Sequence, residues 1–219
     1  MSWLKAGNFF KYLCMFGCAT LLGQILQISM PAQAEGCPDT GYEAIQAYTY
    51  LNHFRAEPQT YAKRIGLDLG YTSSAPQLRW NGQLAAIARK VAERMAQGNY
   101  FAHRDPDGRG PNQRVTSAGY NLPSYYPRDP EANNLESLAA GAPNGIEAIN
   151  QLVLDAGVSP PDHRVQMLAL DSFYQEHSEV GIGVACVPQS EYKYYYVVLT
   201  APKALDHKVA GALDESTYH

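Results

Sequence analysis

Val180-Gly181-Ile182-Gly183-Val184 and, after a short polar segment, Tyr194-Tyr195-Tyr196-Val197-Val198-Leu199-Thr200 decide the fold class of this chain. The first run alternates β-branched residues with glycine. The second is dense in Tyr and Val, residue types that favour extended backbone. Gln189 and Ser190 lie between the runs, so the two are expected to pair as a hairpin. Both runs carry apolar residues on both faces, which calls for helices on two sides. The chain upstream reads as helical. Apolar spacing predicts helices over residues 42–55, through Ile45, Tyr48, Leu51 and Asn52, and over residues 59–65 after Pro58. The strongest helical signal follows Trp80. Asn81 is placed to cap it, Leu84, Ile87, Ala88, Val91 and Met95 share a face, and Gly98 is expected to end it. Residues 66–77 read as a polar loop. Residues 106–143, rich in Pro, Gly, Asn and Ser, read largely as loop. Helical periodicity returns over residues 145–155, and a helical turn is expected over 165–170. Helices first and a hairpin last favour an α+β fold over a parallel βαβ sheet.

The N-terminus has the order of a secretory signal. Lys5 and Lys11 supply positive charge, residues 12–28 are uncharged and mostly apolar, and Ala32-Gln33-Ala34 offers a small-residue cleavage site. Residues 1–34 are therefore read as a signal peptide, residues 35–203 as one domain and residues 204–219 as a polar tail. This places the mature protein outside the cell or in the periplasm. The alternative, a membrane anchor, is disfavoured by Gln24, Gln27 and a run short of about 20 residues. No later stretch is long enough to span a membrane. Loss of Lys5 and Lys11 takes the formal charge from −4 to −6, which does not recommend nucleic acid as a partner. Cys37 and Cys186 are the cysteines left after processing. An oxidising compartment allows them to bridge; one buried and one exposed free thiol is the other reading.

His103, in Tyr100-Phe101-Ala102-His103-Arg104-Asp105-Pro106-Asp107-Gly108, and His163, in Ser159-Pro160-Pro161-Asp162-His163-Arg164, each read as half of a site, with Glu136 between them in sequence. Imidazole and carboxylate together bind divalent metals such as zinc or move protons near neutral pH. Glu136 is the candidate base for a metal-bound water. The bland alternative is that carboxylates simply hold the two histidines and tie loops to the core. His53 reads as a surface residue, and His177, inside Glu176-His177-Ser178-Glu179, as part of a solvated turn. Ser137 and Ser159 lack the strand-turn-helix setting of a nucleophilic serine. Arg114 and Arg164 read as partners for Asp or Glu. Tyr194 to Tyr196 read as core on one face and rim on the other.

Leu51-Asn52-His53-Phe54-Arg55-Ala56, Leu78-Arg79-Trp80-Asn81 with Leu84-Ala85, the stretch from His103 to Gly108 with Arg114 and Ala118-Gly119-Tyr120, Leu152 to Val158 with His163-Arg164, and Val180 to Val184 together resemble the bacterial secreted members of the CAP superfamily. This superfamily groups cysteine-rich secretory proteins, antigen 5 and pathogenesis-related proteins. The resemblance covers about residues 44–201. It implies an α-β-α sandwich around a central antiparallel sheet, with a cleft of two histidines and two acids. By position these are His103, His163, Glu136 and Asp155 as metal ligands or their supports. Asp155 stands where many members have Glu, so its reach to a shared ion is shorter by one methylene. Members are linked to sterol, lipid and cell-surface binding. The expected partner is therefore a small ligand (lipid, sterol-like or peptide) or an envelope component. Two further readings are a metal-assisted hydrolase of peptide or envelope material and a non-catalytic envelope protein. No organic cofactor is indicated. The stretch 121–133, with Tyr125-Tyr126-Pro127, is expected as a rim or lid over the cleft.

Overall fold

A computed structural model describes residues 36–205; the expected signal peptide and most of the expected tail lie outside them. The elements run α1 (Thr40–Ala56), α2 (Pro58–Arg64), β1 (Arg79–Trp80), α3 (Gly82–Gly98), α4 (Pro111–Ser117), β2 (Glu136–Ala140), α5 (Gly145–Leu154), α6 (Asp162–Leu168), α7 (Ser172–Gln175), β3 (Glu179–Cys186) and β4 (Tyr194–Ala201). Strand order is β1-β3-β4-β2. The β3–β4 hairpin is central, as its double-sided apolar pattern demands. β2 adds antiparallel to β4, with Glu136 opposite Leu199, while the two-residue β1 pairs parallel with β3. The sheet is therefore mixed rather than purely antiparallel. Among the described residues no helix is long and apolar enough to cross a membrane.

Two cores follow from the two faces of the sheet. Val180, Ile182, Val184, Tyr196 and Val198 pack with Leu51 and Phe54 of α1, Ile149 and Leu152 of α5 and Met167 of α6. Tyr195, Val197 and Leu199 pack on the other face with Leu84, Ala88, Val91 and Met95 of α3. The glycines of Val180-Gly181-Ile182-Gly183-Val184 explain how α3 comes so close. A Cβ at Gly181 would overlap the backbone of Leu84 and Ala85, and one at Gly183 the backbone of Ala88 and Arg89. Large residues thus face α1 and hydrogen atoms face α3.

Local chemistry sets the helix ends. The Asn81 side chain accepts from the Gln83 and Leu84 amides, as its position before an apolar stripe predicts. The end of α3 is set by Asn99 in the left-handed region (φ 49°), one residue past the expected Gly98. In α1 the buried stripe is Ala44, Ala47, Leu51 and Phe54, and Ile45 is 47 % exposed, so the helix is rotated from the expected face. The span read as loop contains α4 and β2, neither of which has an apolar period. Tyr195 and Tyr196 are both fully buried, on opposite faces, so neither forms a rim.

Cys37 and Cys186 are bridged, with Cα atoms 5.8 Å apart, tying the segment before α1 to the end of β3. His177 is the clearest departure from the sequence reading. It is 2 % exposed, enclosed by Tyr126, Phe173 and Tyr174. The charged flanks point elsewhere while the ring turns inward. Its Nδ1 lies 2.8 Å from the Thr200 hydroxyl and its Nε2 2.8 Å from the Tyr126 hydroxyl. Burial, reinforced by the Arg55 guanidinium, pushes its pKa down from 6.5 to about 3. Tyr126 is buried with it, so this part of the 121–133 stretch is an anchor rather than a lid.

Three outcomes are expected from this packing. Gly183→Ala should lower stability by about 3 kcal/mol, the upper range for overpacking, because α3 must lift off the sheet; chemical denaturation measures it. Cys37→Ser/Cys186→Ser should cost up to about 5 kcal/mol, given the 149-residue separation the bridge closes. The unfolded chain protonates His177 below about pH 6.5, whereas the folded chain resists until about pH 3. Its contribution to stability is therefore complete above pH 6.5 and is lost on acidification, at about 1.4 kcal/mol per pH unit. A His177→Asn variant should show a flatter stability-versus-pH curve over this window.

Candidate functional site

The cleft is assembled from four places in the chain. His103 comes from the connection between α3 and α4, Glu136 from the first position of β2, Asp155 from the end of α5 and His163 from the first turn of α6. The imidazole centres stand 6.4 Å apart with their planes 29° from parallel. All four residues expected from the sequence are thus brought together. His53 is exposed, away from the cleft on α1.

Each imidazole is held from behind by one carboxylate. His103 Nδ1 lies 3.0 Å from Glu136 Oε1. Glu136 is 2 % exposed, and its second oxygen accepts from Arg114 Nη2 at 2.6 Å. Arg114 Nη1 donates to the carbonyls of His103 and Arg109 at 2.6 and 2.9 Å, so one guanidinium fixes both the carboxylate and the backbone that carries the histidine. A buried carboxylate needs this opposing charge and these hydrogen bonds to offset its lost hydration. The sequence reading of Arg114 as a carboxylate partner is matched.

His163 is supported differently. Asp155 occupies the left-handed region (φ 49°) at the end of α5, where the short polar side chain of Asp or Asn is tolerated. Its Oδ1 lies 2.7 Å from His163 Nδ1, and its Oδ2 accepts from the backbone amides of His163 and Arg164 at 3.0 and 3.2 Å. One side chain thus ends α5, begins α6 and orients the imidazole. The shorter reach of Asp suits this triple contact, and the carboxylate meets the ring rather than the space between rings. The Arg164 guanidinium donates to the carbonyls of Val153 and Leu154, so its partner is the end of α5 and not a carboxylate side chain.

A carboxylate accepts hydrogen bonds, so each Nδ1 carries its proton toward the acid. The Nε2 lone pair of each ring is then free to act as a ligand. His103 and His163 side chains are 39 % and 25 % exposed, so both reach solvent while their carboxylates do not. Among the described residues no group of three or more His, Cys, Asp or Glu side chains is arranged to hold an ion. The donor set is two imidazoles, with their acids engaged one shell further out.

One supporting residue carries no signal in the sequence. Asn133, in the polar stretch before β2, accepts from the amides of Leu135 and Glu136 and donates to the Glu136 carbonyl at 2.9 Å; its Nδ2 lies 3.3 Å from His103 Nδ1. Thus the far end of the 121–133 stretch does reach the His103–Glu136 pair. Asparagine in an Asn-rich loop is indistinguishable by type from any turn residue, so position alone reveals it.

The family model described as "Cysteine-rich secretory protein family", CAP, matches residues 48–200. No curated protein matches in sequence. Among solved structures, an extracellular protein containing a SCP domain from Bacillus anthracis is similar over 75 % of this chain, at 19 % identity and a TM-score of 0.47. The chain spans 41 % of that protein's length. An outer surface protein from Borrelia burgdorferi is similar over 76 % of this chain and 96 % of its own, at 18 % identity and a TM-score of 0.49. The match over residues 48–200 takes in both histidines, both carboxylates and the central hairpin, and the chain belongs to the cysteine-rich secretory protein (CAP) family.

Proposed function

We propose that this is an exported binding protein whose cleft holds a divalent cation, zinc being the best fit, between His103 and His163. The observation that carries the reading is the pairing of each Nδ1 with a buried carboxylate, which leaves both Nε2 lone pairs available to an ion. A zinc–nitrogen bond of about 2.0–2.1 Å puts each ring centre about 3.2 Å from an ion, so at the tetrahedral angle two rings sharing one ion stand about 5.2 Å apart. The observed 6.4 Å is wider than this, and the more exposed His103 would move inward by about 1 Å to share an ion with His163. Neutral imidazoles suit zinc, and solvent completes a set of only two protein ligands. The bridged cysteines fit an oxidising compartment, which supports the reading of export.

When bound, such an ion supplies a positive anchor for an anionic or carbonyl group of a ligand, or acidifies a water. Glu136 is badly placed to serve as that water's base. One oxygen faces His103, the other faces Arg114, and the residue is 2 % exposed. Its role in this reading is to orient His103. The cleft therefore supports binding of an envelope component or small ligand better than hydrolysis.

Calorimetric titration of zinc into metal-free protein should give one ion per chain, and His103→Ala/His163→Ala should abolish binding with little change in melting temperature, since both rings are partly exposed. A double variant that melts well below the parent, from a parent that binds no zinc, would instead make the four residues a brace of the fold.

A further inference from the structure

The two halves of the cleft lie on different elements, and something must set the distance between them. Glu136, which holds His103, belongs to β2, whereas His163 belongs to α6. One side chain spans that gap from below. Gln166, one turn after His163 and 3 % exposed, makes three hydrogen bonds. Its Nε2 donates to the Leu135 carbonyl at 2.6 Å and to the Thr200 hydroxyl at 2.9 Å, and its Oε1 accepts from the Ser137 hydroxyl at 2.7 Å. Leu135 and Ser137 are the two residues that flank Glu136. The amide orientation is forced, because a carbonyl only accepts and Nε2 must therefore face Leu135.

The chain of contacts continues past the amide. The Thr200 hydroxyl accepts from Gln166 and also lies 2.8 Å from His177 Nδ1. His177 Nε2 in turn lies 2.8 Å from the Tyr126 hydroxyl. Thr200 is on β4, His177 precedes β3 and Tyr126 lies in the 121–133 stretch, so the Gln166 amide is backed by the central sheet and the aromatic cluster behind it. A group so placed cannot tilt without breaking several buried bonds, each costly to leave unpaired.

We propose that Gln166 is the positioning residue that holds the His103–Glu136 pair at its working distance from the His163–Asp155 pair. It touches neither imidazole. It clamps the strand on both sides of Glu136 to the helix that carries His163. Because the imidazole centres stand about 1 Å wider than a tetrahedral ion sets them, the separation of β2 from α6 decides whether both Nε2 atoms can close on one ion. The effect on ion binding rests on the cation reading; the effect on the imidazoles does not.

Gln166→Met keeps the length of the side chain and removes all three hydrogen bonds. In metal-free protein at pH 8, long-range nitrogen–proton spectra of the parent should show His103 and His163 each as a single Nδ1-protonated tautomer. In Gln166→Met these signals should move in position, because the two pairs shift relative to each other, while each ring stays Nδ1-protonated. Zinc affinity by calorimetry should fall about tenfold, as is usual when an outer support of a ligand is lost. Cys37→Ser/Cys186→Ser, destabilised away from the cleft, should leave both readouts unchanged, which separates positioning from general loosening. Should Gln166→Met fail to fold, Ser137→Ala removes one of the three bonds and should move the same signals in the same direction. Folded Gln166→Met with parental imidazole signals, or equal shifts in the cysteine variant, would overturn the proposal. A parent that binds no zinc would overturn the cation reading alone, since the imidazole signals still report on Gln166.

Discussion

Everything in this molecule is hung on a hairpin with no solvent face. β3 and β4 bury both sides, so two separate helical layers are obligatory, and the site's elements are the edges and ends of those layers. The constraint is sharpest at Gly181 and Gly183, where α3 lies against the strand backbone itself. Apolar burial drives the assembly, but the absence of two side chains sets its spacing. With α3 fixed, the segment leaving its C-terminus delivers His103. With β4 fixed, β2 pairs in a register that opens on Glu136.

The two carboxylates solve the same problem by different means. Glu136 is on a buried strand, where no free backbone amide is on offer, and it draws a guanidinium across from α4. Asp155 sits where one helix ends and another begins, and the amides at the start of α6 neutralise it. Helix N-termini favour negative charge there. The consequence is a cleft whose two histidines present equivalent nitrogens although their supports have unequal charge. Behind both, a run of buried polar groups from Gln166 to Tyr126 is satisfied link by link, which is the condition for such a network to rigidify a core rather than weaken it.

Much of the architecture was legible because long elements announce themselves. α3, α5 and the hairpin carry a period of 3.6 or 2 over enough residues to be read. β2 does not: Glu136-Ser137-Leu138-Ala139-Ala140 is short, begins with a charge and ends in alanines, and only pairing with β4 makes it a strand. α4 opens on Pro111 inside a Pro- and Gly-rich stretch, where composition argues for loop. His177 misleads because its neighbours in sequence are acidic while its neighbours in space are aromatic. Ile45 misleads for a related reason. The face of α1 that is buried was chosen by where α5 and the sheet lie, and small Ala44 and Ala47 fit there.

The sequence by itself determined the helix cap at Asn81, the paired central strands, and the residue types of the cleft: those depend on local conformational preference and on chemistry carried by single side chains. The residues alone offered His103, His163 and Glu136 as a site, and resemblance to a family added Asp155, which no periodicity could have done. The tertiary structure alone decided which acid serves which histidine, that Cys37 meets Cys186, that Arg114 faces Glu136 while Arg164 closes α5, and that Gln166 spans two elements. The physical reason is range. Propensity and capping act over a few residues and leave their mark in the local sequence. Hydrogen bonds and charge pairing act over a few ångströms of space, and only the packed chain brings residues tens of positions apart within that distance.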